Sequence, residues 1–123
     1  MDVVINIEKK FEKDRKKLKS QELKAISDKI NQLIEIIREG KITSPYITKL
    51  HKIRIGPDMD SSIYTMKINM ELRLILTSED DPLFNEHIIT LLRVVRHKDL
   101  EKTFMGIAES INQSLLIGGK NNG

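Results

Sequence analysis

Three charged side chains stand out in the second half of the chain because each belongs to an otherwise apolar segment. Lys67, Arg73 and His97 lie in three strand-like segments, at residues 63–69, 72–77 and 87–97. Burying a cation is costly, so we expect these side chains to line an open sheet face. Lysine and arginine bind phosphate oxygens, and histidine exchanges a proton near neutral pH. The pattern therefore favours a phosphate-bearing ligand, RNA above all.

The first two segments predict a β-hairpin with a defined register. If Lys67 lies opposite Arg73, the large apolar residues share one face: Tyr64, Met66, Ile68, Leu72, Leu74 and Leu76. The other face then carries Thr65, Lys67, Arg73 and Ile75. A slip by one residue would bury Lys67, so burial penalises it. Two adjacent cations repel each other, and an anion between them would relieve that repulsion.

Arg73 is the leading candidate for chemistry, because its planar guanidinium can hold a phosphate at two points and stabilise charge in a transition state. It could instead be a surface arginine paired with a carboxylate such as Glu71. Lys67 could bind the same phosphate or be a solvated lysine. His97 could act as a general acid or base, or could simply end its strand. His51 is a second candidate acid or base, and further cations could bind substrate: Lys52, Arg54, Arg96 and Lys98.

Hydrophobic spacing in the rest of the chain predicts an α+β domain. A strand at residues 3–7 precedes a short basic helix at 8–19. A second helix, capped by Ser20 and ended by Gly40, has a buried stripe at helical spacing: Ile26, Ile30, Leu33 and Ile37. Residues 47–55 and the hairpin follow, then an acidic loop at 78–86 and a central strand at 88–95. Asp99 begins a last helix, whose apolar stripe we expect to pack on the domain's own core or on a second copy of the chain: Leu100, Phe104, Ile107, Ile111 and Leu115.

We therefore predict a small twisted, mostly antiparallel sheet with an N-terminal helical hairpin on one face and a C-terminal helix. The single domain covers residues 1–117, and residues 118–123 form a flexible tail. No apolar run is long enough to span a bilayer, so we expect a cytoplasmic protein without membrane contacts. The chain has 123 residues and no cysteine, which excludes disulfides and thiolate metal sites.

Charge and histidine spacing bear on the ligand. Residues 9–19 hold seven Lys or Arg against two acids, although the net charge is only +3. This run is either a solvated helix face or a surface for a polyanion. The three histidines form no local metal-ligand motif, so we expect no metal and no cofactor. His87 lies beside the acidic loop and is interpreted as incidental, and the sequence has no Ser-His-Asp signature.

The order of strand, two helices, strand meander and helix resembles the RelE/ParE toxin superfamily of bacterial toxin–antitoxin systems. The resemblance spans residues 3–112. It is carried by Phe11-Glu-Lys-Asp-Arg-Lys-Lys-Leu18, Ile63-Tyr-x-x-Lys-Ile-Asn69, Leu72-Arg73-Leu-Ile-Leu76 and Val94-Val-Arg-His-Lys-Asp99. The family's ribonucleases place an arginine at the position of Arg73, against the scissile phosphate. Many also carry a tyrosine near the position of Phe104, so this chain departs from them there.

The resemblance implies a type II toxin that cleaves mRNA without a metal and so inhibits translation. In the best-known branch the mRNA is held in the ribosome. The same resemblance implies a cognate antitoxin protein that covers the basic surface. Arg73 and Lys67 would act on the phosphate, and His97, with His51 as a second candidate, would be the acid or base. The alternative is a family member without nuclease activity, such as a gyrase inhibitor, which the missing tyrosine favours.

Overall fold

The computed structural model describes residues 2–39, 47–49, 53–54, 60–61, 63–107 and 109–110, with only the backbone for 47–49, 53–54 and 60–61. The helices are α1 (Lys9–Arg15), α2 (Ser20–Arg38) and α3 (residues 100–107 and 109–110), the last following a 3₁₀ turn (His97–Asp99). The strands are β1 (Asp2–Ile7), β2 (Ile47–Lys49), β3 (Ile53–Arg54), β4 (Asp60–Ser61), β5 (Ile63–Lys67), β6 (Leu72–Asp81) and β7 (Glu86–Arg96). The predicted α+β class is confirmed.

The main sheet has the strand order β1-β7-β6-β5-β2. Strand β1 runs parallel to β7, and the other neighbours are antiparallel, so the sheet is mixed. The predicted hairpin register is confirmed, because Lys67 lies opposite Arg73 and Met66 lies opposite Leu74. Strands β3 and β4 pair separately. The long β6–β7 hairpin therefore forms the centre of the fold.

Apolar side chains form a core on each face of the sheet. The helical hairpin α1–α2 covers the larger core, whose buried residues are Phe11, Ile26, Leu33, Met66, Ile68, Leu72, Leu74, Leu76, Ile89, Leu91 and Val94. On the other face, Leu100, Phe104 and Ile107 of α3 pack against Ile63, Ile75 and Val95. The predicted packing of this α3 stripe on the domain's own core is confirmed for these three residues.

The expectation of an open face around Lys67 and Arg73 is only partly right. The helical hairpin lies on the opposite face, and Lys67 is exposed. One pair further along the same face, however, Ile75 is completely buried. Its burial follows from α3, whose apolar stripe covers this part of the sheet. The open area is therefore restricted to the end of the sheet near the β5–β6 turn.

The predicted loop at 78–86 and the predicted cap of α2 are wrong. Residues 78–86 are not a loop, because β6 continues to Asp81 and pairs in register with β7 from Glu86. Only residues 82–85 turn, and Asn85 there has a φ of 51°. Ser20 is the first residue of α2 rather than its cap, and the Glu22 carboxylate instead accepts the Lys19 backbone N–H at 3.1 Å. The predicted Gly40 helix end and the tail at 118–123 lie outside the described residues.

The first helix is shorter than predicted. It ends at Arg15, and the chain continues through i→i+3 hydrogen bonds from the backbone N–H groups of Lys17 and Leu18. This tight turn lets Leu18 pack against the larger core before α2 begins. Within the described part of the chain, no helix is both long and apolar enough to cross a membrane.

Candidate functional site

The turn between β5 and β6 is fixed by two side chains. The Asn69 side-chain oxygen accepts the backbone N–H groups of Glu71 and Leu72, both at 2.9 Å. The Arg73 Nη1 donates to the backbone carbonyls of Asn69 at 2.6 Å and Leu72 at 3.0 Å. Arg73, predicted to face open solvent as a phosphate clamp, is instead partly buried and holds its own turn. Its guanidinium therefore positions Met70 and Glu71.

The end of β7 is joined to this turn. The His97 backbone N–H donates to the Glu71 carbonyl at 2.6 Å. The Arg96 Nη1 donates to the Glu71 carboxylate at 3.1 Å and to the Glu22 carboxylate of α2 at 2.6 Å. The hydrogen bond from Arg96 lowers the pKa of Glu22, and the one to Glu22 raises the pKa of Arg96. Arg96 therefore connects α2, β7 and the turn.

A cavity of about 430 Å³ opens at this junction and is lined by Met70, Glu71, Arg96, His97 and Lys98. Its size is in the range of small-ligand sites. It contains a carboxylate and an imidazole, which can exchange protons, beside two cations. Met70 is 80% exposed and offers an apolar surface to a ligand. Three predicted site residues, Arg96, His97 and Lys98, are thus brought together here.

Lys67 and Arg73 lie next to this cavity but do not line it. Their Cβ atoms are about 5 Å apart, as expected of directly opposed residues in antiparallel strands. Arg73 pairs on its other side with Val95, two residues before His97. Lys67 and Arg73 are therefore cross-strand neighbours, with Arg73 supporting the turn and Lys67 exposed beside it.

A larger groove of about 720 Å³ lies between α1, the end of β7 and α3. Its lining includes five cations, Lys10, Lys17, Arg93, Arg96 and Lys102, and two acids, Asp14 and Asp99. Arg96 lines both this groove and the smaller cavity. Lys10 and Lys17 belong to the Lys-rich run that the sequence offered as a surface for a polyanion.

Asp14 fixes the wall of this groove. Its carboxylate accepts hydrogen bonds from Arg93 at 2.7 and 3.0 Å and from the Val94 backbone N–H at 3.1 Å. Strand β1 pairs with β7 only as far as Leu91, so Asp14 bonds to an edge that no strand of the described residues covers. The hydrogen bond to Asp14 raises the pKa of Arg93. The pair holds α1 against the sheet.

The remaining predicted site residues are not placed. His51 and Lys52 lie outside the described residues, and Arg54 is described only as backbone in β3. His87, interpreted from the sequence as incidental, is 6% exposed and hydrogen-bonded at both ring nitrogens, to Ser78 and Asp80. Among the described residues, no group of three or more His, Asp or Glu side chains is arranged to hold a metal ion.

Glu71 is the site residue that sequence reasoning missed. The sequence offered it only as an ion-pair partner for Arg73, whereas its carboxylate binds Arg96 and lines the cavity with His97. The available signal was its place in the short turn between two register-matched strands, where β7 also ends. No protein-family model, curated protein or solved structure matches the chain.

Proposed function

We propose that the chain is an endoribonuclease that cleaves mRNA in the cavity lined by Glu71 and His97. The observation that carries the proposal is the presence of a carboxylate and an imidazole in one cavity with two cations, Arg96 and Lys98. RNA supplies its own nucleophile, the 2′-hydroxyl. Cleavage therefore needs only a base, an acid and positive charge at the phosphate.

The reaction follows from these groups. The Glu71 carboxylate takes the proton of the 2′-hydroxyl, and the 2′-oxygen forms a bond to the adjacent phosphorus. The bond from phosphorus to the 5′-oxygen breaks, and protonated His97 gives its proton to that oxygen. Lys98 and Arg96 stabilise the charge on the phosphoryl oxygens. The products are a 2′,3′-cyclic phosphate and a 5′-hydroxyl, and no metal takes part.

The adjoining groove supports RNA as the substrate. A ribonucleotide chain carries one negative charge per residue, and lysines from α1 and α3 flank the groove, which shares Arg96 with the cavity. Arg93 is already paired with Asp14, and Arg96 belongs to the lining of the cavity itself. Lys10, Lys17 and Lys102 are therefore the cations we assign to the phosphates that flank the cleavage position.

Membership in the RelE/ParE superfamily, with its fold, is part of this proposal. The order of strand, two helices, strand meander and helix supports it, as do Lys67 and Arg73 in matched register. On this proposal the substrate is mRNA held in the ribosome, and a cognate antitoxin covers the basic groove. The protein would then work in the cytoplasm as a translation inhibitor.

The first test uses purified protein with end-labelled RNA, alone and on programmed ribosomes. We expect His97→Gln to slow cleavage by about 10²–10⁴-fold, the usual contribution of a general acid or base. Glu71→Gln should slow cleavage by a factor in the same range. Glu35→Gln, the same change at an exposed position of α2, should leave the cleavage rate unchanged. A 2′-deoxy nucleotide at the cleavage position should block the reaction, and EDTA should not. Wild-type cleavage rates in both folded pocket variants would refute the assignment.

A second candidate function, inhibition of a protein such as gyrase without RNA cleavage, is favoured by the tip of the β6–β7 hairpin. Leu83 and Phe84 are 89% and 71% exposed there, between acidic strands. Exposed apolar side chains on an ordered turn favour a protein contact. This candidate would be supported over cleavage if the protein arrests growth with intact transcripts. The arrest should be lost in Leu83→Ser/Phe84→Ser and kept in His97→Gln.

A further inference from the structure

Three side chains at the far end of the central hairpin form a hydrogen-bonded chain. The Ser78 Oγ lies 2.5 Å from the His87 Nε2, and the His87 Nδ1 lies 2.5 Å from an Asp80 carboxylate oxygen. Ser78 and Asp80 are two residues apart on β6 and therefore share one face. His87 lies directly opposite Asp80 in the β6–β7 register. The register of the hairpin thus creates an arrangement that sequence spacing does not show.

The hydrogen bonds define what each group does. An ionised carboxylate only accepts, so the bond to Asp80 requires the proton on the His87 Nδ1. In neutral histidine the Nε2 is then an acceptor, and the Ser78 hydroxyl donates to it. This is the geometry in which a base activates a hydroxyl and a third group orients the base.

Burial holds His87, the central member of this arrangement, in place. His87 is 6% exposed and pairs on its other side with Val3 of β1. Ser78 is partly exposed, and the Asp80 side chain is 63% exposed. The site is separate from the cavity lined by Glu71 and His97, because Ser78 lies six residues along β6 from Leu72, roughly 20 Å.

We infer that Ser78 is an activated nucleophile that accepts an acyl group from small carboxylic esters. The Ser78 Oγ bonds to the carbonyl carbon while its proton passes to the His87 Nε2. The bond from that carbon to the alcohol oxygen then breaks, and His87 returns the proton to the departing alcohol. Water releases the acyl group by the same path. Asp80 keeps His87 in the required tautomer throughout.

The test uses the full chain and diisopropyl fluorophosphate, with which Ser78 forms an Oγ–P bond as fluoride leaves. We expect mass spectrometry to find the adduct on Ser78 and to find none in Ser78→Ala. His87→Gln should slow labelling by about 10²-fold or more. Ser27→Ala, a change of an exposed serine on α2, should label at the wild-type rate. Labelling of Ser78 no faster than of Ser27, or unaffected by His87→Gln, would overturn the inference.

A second measurement tests the inference even where a substitution alters packing. The chain has no cysteine, so Ser78→Cys creates a single thiol. A neighbouring imidazole favours the reactive thiolate. We expect iodoacetamide to alkylate Ser78→Cys about tenfold faster than Ser78→Cys/His87→Gln, with circular dichroism showing both folded. Equal rates in the two folded variants would contradict activation by His87.

Discussion

At the scale of single residues, the site depends on polar groups that hold the backbone. Asn69 and Arg73 fix the β5–β6 turn. The Asn69 side chain accepts hydrogen bonds from backbone N–H groups, and Arg73 donates hydrogen bonds to backbone carbonyls. Asp14 does the same at the end of β7, where its side chain is only 11% exposed. Each places a neighbour that faces the cavity or the groove. Their effect on the proposed activity is therefore indirect.

We expect Asp14→Ala to lower the free energy of unfolding by about 2–4 kcal/mol, because it leaves Arg93 and the Val94 N–H without their acceptor. Urea unfolding followed by circular dichroism measures the change. Asp28→Ala, which removes an exposed aspartate from α2, should cost less than about 0.5 kcal/mol. Equal, small losses in both variants would mean that Asp14 does not hold α1 on the sheet.

Burial explains which residue-level predictions hold. Placing Lys67 opposite Arg73 follows from the requirement that Met66 and Leu74 share the buried face, and the structure has this register. The direction of the Arg73 guanidinium does not follow from any such pattern. It depends on carbonyl oxygens that the turn exposes only after it has formed. The same holds for Glu71, whose role depends on where β7 ends.

At the scale of elements, α3 sets the size of the open sheet end. The spacing of Leu100, Phe104 and Ile107 predicts that α3 packs on the domain, and it does. The acidic composition of residues 78–86 predicts a loop, and this is wrong. Cross-strand pairing with β7 and the bonds of His87 keep these residues in the sheet. An acidic composition indicates that a segment is solvated. Whether that segment forms a strand depends on pairing with a partner strand, which composition does not show.

The ion pair between α2 and β7 makes stability depend on pH. Because Arg96 lowers the pKa of Glu22 from its ordinary 4.5, ionised Glu22 stabilises the fold above that value. The contribution is lost as the pH falls through the lowered, folded-state pKa. We expect Glu22→Gln to lower the urea midpoint at pH 7 and to approach the wild type below pH 4.5. Glu35→Gln on the same helix should show no such convergence, and a gap for Glu22→Gln independent of pH would contradict this account.

Gly106 offers a test of α3 itself. It lies inside the helix, and a Cβ added there would meet no atom within 4 Å. Alanine loses less backbone entropy than glycine in a helix, so Gly106→Ala should stabilise the protein by about 0.5–1 kcal/mol. Thermal unfolding measures this. A destabilised Gly106→Ala variant would mean that α3 is not helical at this position.

At the scale of the whole molecule, charge is divided between two ends. Glu79, Asp80, Asp81 and Glu86 surround the hairpin tip, whereas Lys10, Lys17 and Lys102 line the groove at the other end of β7. A modest net charge of +3 therefore conceals a groove whose lining has more cations than acids. Such a surface attracts a polyanion to the groove and keeps it away from the tip.

This division predicts salt-dependent RNA binding through the groove. We expect log K to fall linearly with log salt concentration, and Lys10→Ala/Lys17→Ala/Lys102→Ala to reduce the slope by about 2, at roughly 0.7 per phosphate contact on a single strand. Fluorescence anisotropy with a labelled RNA measures both. Lys24→Ala on α2 should leave the slope unchanged. An unchanged salt dependence of log K in the triple variant would mean that the RNA does not bind in the groove.

The most direct test of the proposed cleavage is induction in cells followed by mapping of transcript ends that carry a 5′-hydroxyl. The wild type should arrest growth and create new internal ends within coding regions. His97→Gln and Glu71→Gln, each shown to be folded by circular dichroism, should lose those ends, and Glu35→Gln should keep them. Growth arrest without new 5′-hydroxyl ends, or the same ends in both pocket variants, would contradict the assignment of this cavity as a ribonuclease site.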